Sequence, residues 1–195
     1  DRELNAVETR PLDSYVVDDG WNNYNKDRVV DANRSGTTMN TTGFWEFNDK
    51  FPEKLTPSSE LVQNFGSNFG VWIGPRGGYN FYGTLADILT ESGKGSKAGG
   101  SIDVADREYV KNFQEMAIDW QNDYDVNYWK WDGFADQGQY NTFAAKDGVP
   151  GYANRHMTGG YNHMYHVTDL WEAWIDLMEA CRKNADENGI NKLWI

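Results

Sequence analysis

The sequence has one cysteine, three histidines and five prolines among 195 residues, and the first two shortages limit its chemistry. A single Cys181 cannot form an internal disulfide, and it says little about the compartment, which the sequence leaves open. No CxxC or HExxH motif is present, so we expect no metal and no cofactor. A zinc site built from His156, His163 and His166 is weaker than the alternative, in which these are exposed loop histidines.

Positive charge and long apolar runs are also scarce. The chain has 30 acidic and 18 basic residues, which gives a formal net charge of −12. Because no Lys/Arg run supplies the positive patch that a phosphate backbone requires, we expect no nucleic-acid partner. No stretch approaches the roughly 18 apolar residues needed to cross a bilayer, so we expect no membrane partner either.

Aromatic residues, in contrast, are abundant. They make up 15% of the chain and include nine tryptophans. A tryptophan-rich core is one explanation, and platforms that stack against sugar rings are the other. Stacking against sugar rings is slightly favoured, because four of the tryptophans lie at predicted strand ends. These are Trp21, Trp72, Trp129 and Trp131.

Short apolar segments alternate with helical periodicity along the chain. Strands are predicted at 15–18, 69–74 and 126–131, and a fourth begins at 193–195. One helix follows Pro57 with Ser58 as its N-cap, and a weaker one covers 84–91. The two clearest helices begin at Asp106 and Thr168 as N-caps, and Gly189 ends the second. Residues 94–100 read as a flexible loop.

This alternation predicts the α/β class with a parallel sheet. The acids and aromatics follow the strands, which is where (β/α)8 TIM barrels place their chemistry, and four strands make roughly the N-terminal half of such a barrel. A doubly wound open sheet is the alternative, although no GxGxxG follows a strand. We therefore interpret 1–195 as one partial catalytic barrel domain, truncated at its C-terminal end. An incomplete barrel would expose strand edges and apolar faces, so self-association is expected.

Two predicted strands end in carboxylates. Asp18 and Asp19 follow the first, and Asp132 follows the third, two residues after Lys130. Glycoside hydrolysis needs two carboxyl groups, one of them a nucleophile or base, and a lysine within a few Å would keep Asp132 ionised. A Lys–Asp pair inside a barrel, and a turn-capping Asp-Gly pair, are the structural alternatives. Carboxylates and aromatics at one edge point to a neutral, hydroxyl-rich ligand, most naturally a sugar.

Five segments in order resemble the catalytic barrel of the family 36 glycoside hydrolases, the microbial α-galactosidases and their relatives. The segments are Asp18-Asp19-Gly20-Trp21, Lys50-Phe51-Pro52, Gly70-Val71-Trp72, Ile102-Asp103-Val104 and Lys130-Trp131-Asp132. The resemblance implies a retaining α-galactosidase-like hydrolase, with an oligosaccharide or glycoconjugate as substrate.

The resemblance also implies roles for the residues at these positions. Asp132 would be the nucleophile, Lys130 would contact ring hydroxyls, and Asp18 and Asp19 would hold the O4 and O6 side of the sugar. Trp21 would wall the pocket. The family's proton donor lies on a later strand, so the chain as given is expected to lack it and to be inactive alone. Trp72 and Trp131 are further candidates for substrate contact.

One departure affects the substrate. Where the family has two acids after the strand containing Trp72, this chain has Gly74 and Arg76. Arg76 would then pair with an anionic sugar or, more simply, with a neighbouring acid. A non-catalytic carbohydrate-binding protein on the same barrel is the alternative function, and a metal-dependent sugar isomerase is disfavoured because no set of metal ligands is visible.

Overall fold

The computed structural model describes residues 12–22, 47–77, 82–98, 101–133, 164–190 and 192–195, and for 164–169 the backbone only. Within these ranges the chain forms strands and helices in alternation, with one short hairpin. In chain order they are β1 Ser14–Val17, α1 Thr56–Gln63, β2 Asn68–Ile73, α2 Tyr82–Glu91, β3 Lys97–Ala98, β4 Ser101–Ile102, α3 Arg107–Tyr124, β5 Val126–Trp131 and α4 Met164–Glu187.

The main sheet is parallel, with the order β1-β2-β5. Ser14 pairs with Asn68, and Trp72 pairs with Lys130. On the far side of β5, Trp194 forms a parallel bridge with Tyr128, so 193–195 begins a fourth parallel position. The predicted α/β class and parallel sheet are confirmed. The arrangement fits part of a (β/α) barrel, but the described residues do not close one.

Helix ends separate the correct predictions from the wrong ones. Asp106 caps α3, because its side chain accepts hydrogen bonds from the backbone of Glu108 and Tyr109. Gly189, at φ +71°, follows α4, and the Ile190 N–H returns to the Ala185 carbonyl as a C-terminal cap requires. The other two N-cap predictions are wrong. Ser58 lies inside α1, which begins at Thr56, and Thr168 lies inside α4, which begins at Met164.

The residues around 97–102 differ from the predicted loop. Lys97 pairs with Ile102 and Ala98 with Ser101, forming a two-residue antiparallel ladder. Asp103 follows directly and is 2% exposed, with its carboxylate accepting from the Ala105 N–H at 2.9 Å. Its burial fixes the chain at the entrance to α3.

The core lies between the sheet and the helices. Alternate sheet residues such as Phe69, Val71 and Trp129 point into it and are almost completely buried. Trp120 of α3 stacks on Trp129 with ring centroids 6.3 Å apart, and Trp174 of α4 is fully buried. The indoles thus supply much of the core, as the first of the two sequence explanations had it.

The opposite face of the sheet is lined by Val16, Gly70, Trp72, Tyr128 and Lys130, because side chains alternate along a strand. A Cβ at Gly70 would lie 2.9 Å from the Tyr128 carbonyl oxygen and 2.9 Å from Val16 Cγ2. Only glycine therefore lets the three strands keep their spacing just below the strand ends.

Part of the surface is apolar. Trp171 and Ile175 of α4 are 41% and 48% exposed, and Trp194, which follows that helix in the chain, is 64% exposed. Self-association through such surfaces stays a prediction. None of the helices in the described ranges combines the length and the apolar character needed to span a bilayer.

Candidate functional site

The carboxyl ends of the three parallel strands bring together the polar residues singled out in the sequence. Val17 pairs with Val71 and Trp72 with Lys130, so one further step along β1 places Asp18 beside Trp72. Asp18, Trp72 and Lys130 therefore form one row across the sheet. Asp132 lies two residues beyond Lys130, on the same face.

Lys130 and Asp18 form an ion pair across this row. The Lys130 ammonium donates to Asp18 Oδ2 at 2.8 Å, and the two side chains are 48% and 59% exposed. Since β2 lies between β1 and β5, the pair passes over the central strand at Trp72. The hydrogen bond from Lys130 lowers the pKa of Asp18, with a smaller contribution from the Asp19 N–H. Asp18 is therefore ionised and accepts hydrogen bonds only.

Asp132 is an exposed carboxylate with a fixed position. Its backbone N–H donates to the Ile73 carbonyl at 2.9 Å, which extends the parallel ladder by one bond. Its Oδ2 accepts the Trp72 indole N–H at 3.3 Å. Both contacts come from β2, so the central strand sets where this carboxylate stands.

Trp21 and Trp72 are both buried below the site, Trp21 in the core between the sheet and the helices and Trp72 on the opposite face of the sheet, which corrects their predicted role as surfaces for the substrate. Trp21 is fully buried and Trp72 is 2% exposed. The Trp21 indole donates to the Trp72 carbonyl at 3.1 Å, and its ring packs edge-on against Trp120. Trp21 thus packs within the core, and the N–H edge of Trp72 reaches Asp132.

Trp131 points away from the other residues of the site. It neighbours Lys130 and Asp132 in sequence, so it projects from the opposite face of β5. Its ring packs between Phe113 and Trp174 of the helix layer, at centroid distances of 5.6 and 5.5 Å. The indole is partly buried against the core, and its contact with a substrate stays a prediction.

Asp19 lies in the turn that follows β1. Its Oδ1 accepts the Gly20 N–H at 2.8 Å, which is the turn-capping role that an Asp-Gly pair favours. Asn48 holds the same turn, donating to the Gly20 and Asn22 carbonyls at 2.7 and 2.9 Å. Asn48 was not among the site residues predicted from the sequence. Its side chain also caps its own Asn-Asp-Lys turn at Lys50, and that local pattern was the available signal.

The turn after β2 requires glycine at position 74. A Cβ at Gly74 would lie 2.8 Å from the Gly77 carbonyl oxygen and 3.2 Å from Trp72 Cη2, so this backbone leaves no room for an acidic side chain. The buried Tyr109 hydroxyl donates to the Pro75 carbonyl and anchors the turn on α3. Burial raises the pKa of Tyr109, which keeps that donor protonated.

Arg76 stands over the Tyr82 ring, with its guanidinium carbon 4.3 Å from the ring centroid. This cation–π contact ties the turn after β2 to the first turn of α2. Recognition of an anionic sugar by Arg76 stays a prediction.

Metal ligation finds no support in the residues that the structure covers. No group of three or more His, Cys, Asp or Glu side chains in those ranges is arranged to hold an ion. His156 and His163 fall outside the described residues, as does the His166 side chain.

The chain is distant from known proteins. It matches no protein-family model, and no curated protein is significantly similar to it. Among solved structures it is similar to a variant of the family 36 α-galactosidase AgaA from Geobacillus stearothermophilus, in complex with 1-deoxygalactonojirimycin. That similarity has 15% identity and a TM-score of 0.48, over 87% of this chain and 21% of the other. The chain thus spans about a fifth of that protein's length, and a likeness of this degree does not assign a function.

Proposed function

We propose that the protein hydrolyses terminal α-galactoside-type bonds by a retaining double displacement, with Asp132 as the nucleophile. The observation that carries the proposal is the placement of Asp132. It is an exposed carboxylate, held by the backbone and the indole of β2, on the same face as an ion-paired lysine and aspartate. The choice of α-galactosides as substrates rests on the resemblance of the five sequence segments to the family 36 glycoside hydrolases.

The chemistry requires two carboxyl groups. In the first step an oxygen of Asp132 bonds to the anomeric carbon, the glycosidic C–O bond breaks, and the departing oxygen takes a proton from a carboxylic acid. In the second step water attacks the anomeric carbon, gives its proton to the second carboxylate and releases Asp132. The proton donor is not assigned to a described residue. Asp18 is unsuited to that role, because Lys130 lowers its pKa and keeps it ionised.

Lys130 and Asp18 suit the binding of a neutral sugar. One supplies ammonium donors and the other carboxylate acceptors, so vicinal hydroxyls can give to Asp18 and receive from Lys130. Charge-assisted bonds of this kind are stronger than bonds between neutral groups. The pair would hold a sugar ring close to the carboxylate of Asp132.

The test compares Asp132→Asn with Asp87→Asn in the full-length protein. Asp87 is a matched control, since it is a partly exposed aspartate of α2 that pairs with a lysine outside the parallel sheet. Hydrolysis of aryl α-galactosides should disappear in Asp132→Asn and persist in Asp87→Asn, while galactose binding survives in both. Proton NMR of the first product should show the α-anomer.

Retained hydrolysis in Asp132→Asn, or initial release of the β-anomer, would reject the mechanism. Galactoside binding by the wild type without any hydrolysis would instead favour the non-catalytic carbohydrate-binding protein.

A further inference from the structure

We propose that Trp72 is a positioning residue for Asp132: its buried indole N–H fixes the orientation of the nucleophilic carboxylate and does not serve as a sugar-stacking surface. This inference rests on the proposed function and adds a role that the motif resemblance does not supply. It starts from the hydrogen bond between Trp72 Nε1 and Asp132 Oδ2, 3.3 Å long.

The contact matters because it acts directly on the carboxylate of Asp132. Asp132 follows the last residue of β5, and its side chain is exposed. The terminal torsion of an aspartate is broad, so the carboxylate plane of an exposed aspartate is poorly defined. The bond from the Asp132 N–H to Ile73 fixes the backbone, and the Trp72 indole adds a restraint on the carboxylate itself.

Trp72 is able to restrain its neighbour because it is itself immobile. Its side chain is 2% exposed on the central strand. The Trp21 indole holds its carbonyl at 3.1 Å, and the absence of a side chain at Gly74 gives room to the edge of its ring. The direction of the N–H is therefore set by the surrounding protein and not by solvent.

The restraint on the carboxylate affects the first chemical step, in which Asp132 attacks the anomeric carbon. With Oδ2 engaged by a fixed donor, the carboxylate cannot rotate freely, and its approach to the anomeric carbon is set before the substrate arrives. Loss of orientation at a reacting group lowers kcat more than it raises KM, because binding contacts remain. A stacking surface would show the opposite pattern.

The first test replaces Trp72 by phenylalanine in the full-length protein, and by benzothienylalanine, in which sulfur replaces the N–H at nearly constant shape. The matched control is the same pair of changes at Trp174. Its buried indole also donates to a carbonyl, that of Val104 at 2.7 Å, but in the helix layer. At Trp72 we expect kcat to fall by up to about 100-fold with KM within about twofold. Both Trp174 variants should keep kcat.

The second test separates positioning from damage to the fold. In an Asp132→Gly background, azide attacks the anomeric carbon of an aryl α-galactoside from the vacated side, the aryloxide leaves, and a β-galactosyl azide forms. Azide needs no orientation by Trp72. Adding Trp72→Phe should therefore change the azide-rescued rate by no more than about twofold, although it lowers the rate of the enzyme with Asp132 intact.

The outcomes distinguish this inference from the proposed function. Equal losses in the two backgrounds would overturn it, because they mean that Trp72 contacts the substrate or only supports the fold. An unchanged kcat for the benzothienylalanine variant would overturn it as well. Absence of hydrolysis in the wild type, together with absence of azide rescue, would reject the proposed function and the inference that rests on it.

Discussion

Replacement of Lys130 by methionine should separate the stability of the fold from the function of the site. The change removes the ammonium that pairs with Asp18 at 2.8 Å and keeps an unbranched apolar side chain of similar length. Because both partners are about half exposed, solvent screens the ion pair, and its loss should lower the free energy of unfolding by only about 0.2–1 kcal/mol.

The effect on sugar binding should be larger. A hydrogen bond from a charged donor to a hydroxyl contributes about 1.5–3 kcal/mol, which corresponds to roughly a 10- to 150-fold loss of affinity. Calorimetric titration with galactose and urea denaturation of the same full-length protein measure the two quantities separately.

Lys97→Met provides the matched control. Lys97 also pairs with an aspartate, Asp87, and both of those side chains are 41% exposed, but Lys97 belongs to β3 and Asp87 to α2, outside the parallel sheet. It should show a similar small loss of stability and no change in galactose binding. A loss of more than about 2 kcal/mol in Lys130→Met, or unchanged galactose affinity, would refute the reasoning, since the first exceeds what an exposed pair contributes.

The same ion pair predicts a pH dependence. The pKa of Asp18 is lowered from its ordinary value of 3.8 by Lys130, so the stabilisation is present above that ordinary value. It is lost as the pH falls through the lowered pKa of the folded state. Between about pH 5 and about pH 2, Lys130→Met should lose less stability than the wild type. A parallel loss in the two proteins would mean that Asp18 is not the group responsible.

Three further predictions concern the supporting structure. Gly70→Ala should lower the free energy of unfolding by about 1–3 kcal/mol in urea denaturation, because its Cβ would lie 2.9 Å from the Tyr128 carbonyl oxygen; an unchanged midpoint would contradict the tight spacing. Asp106→Ala should lose about 1 kcal/mol by the same assay and Asp106→Ser much less, since serine also caps; equal losses would argue against capping. Burial raises the pKa of Cys181 to about 12, so a thiol reagent should label it slowly in the native protein and quickly in denaturant. Fast native labelling would contradict that burial.

The elements that could be predicted from the sequence carry their signal locally. The strand 126–131 was placed correctly because an apolar run ends abruptly at Asp132. The capped start of α3 at Asp106 and the glycine after α4 are equally local. The predictions for Ser58 and Thr168 were wrong because a residue type that favours capping also occurs inside helices: two helical residues precede Ser58 and four precede Thr168.

The site depended on information that is not local. Because side chains alternate between the two faces of a strand, Lys130 and Trp131 of β5 point to opposite sides. This alternation is sufficient to predict that the Trp131 indole faces the core. The hydrogen bond between Trp72 and Asp132 depends instead on the register of β2 against β5, which includes an irregularity between Phe69 and Gly70. No pattern in either strand encodes that offset, so the positioning role of Trp72 emerges only from the structure.

If Asp132 is the nucleophile, it becomes covalently attached to the sugar during turnover. The most direct measurement incubates the full-length protein with a mechanism-based fluorinated α-galactosyl fluoride and identifies the modified peptide by mass spectrometry. We expect one label, on Asp132, and none on the neighbouring Asp18. A label on a different carboxylate, or turnover of galactosides without any covalent intermediate, would contradict it.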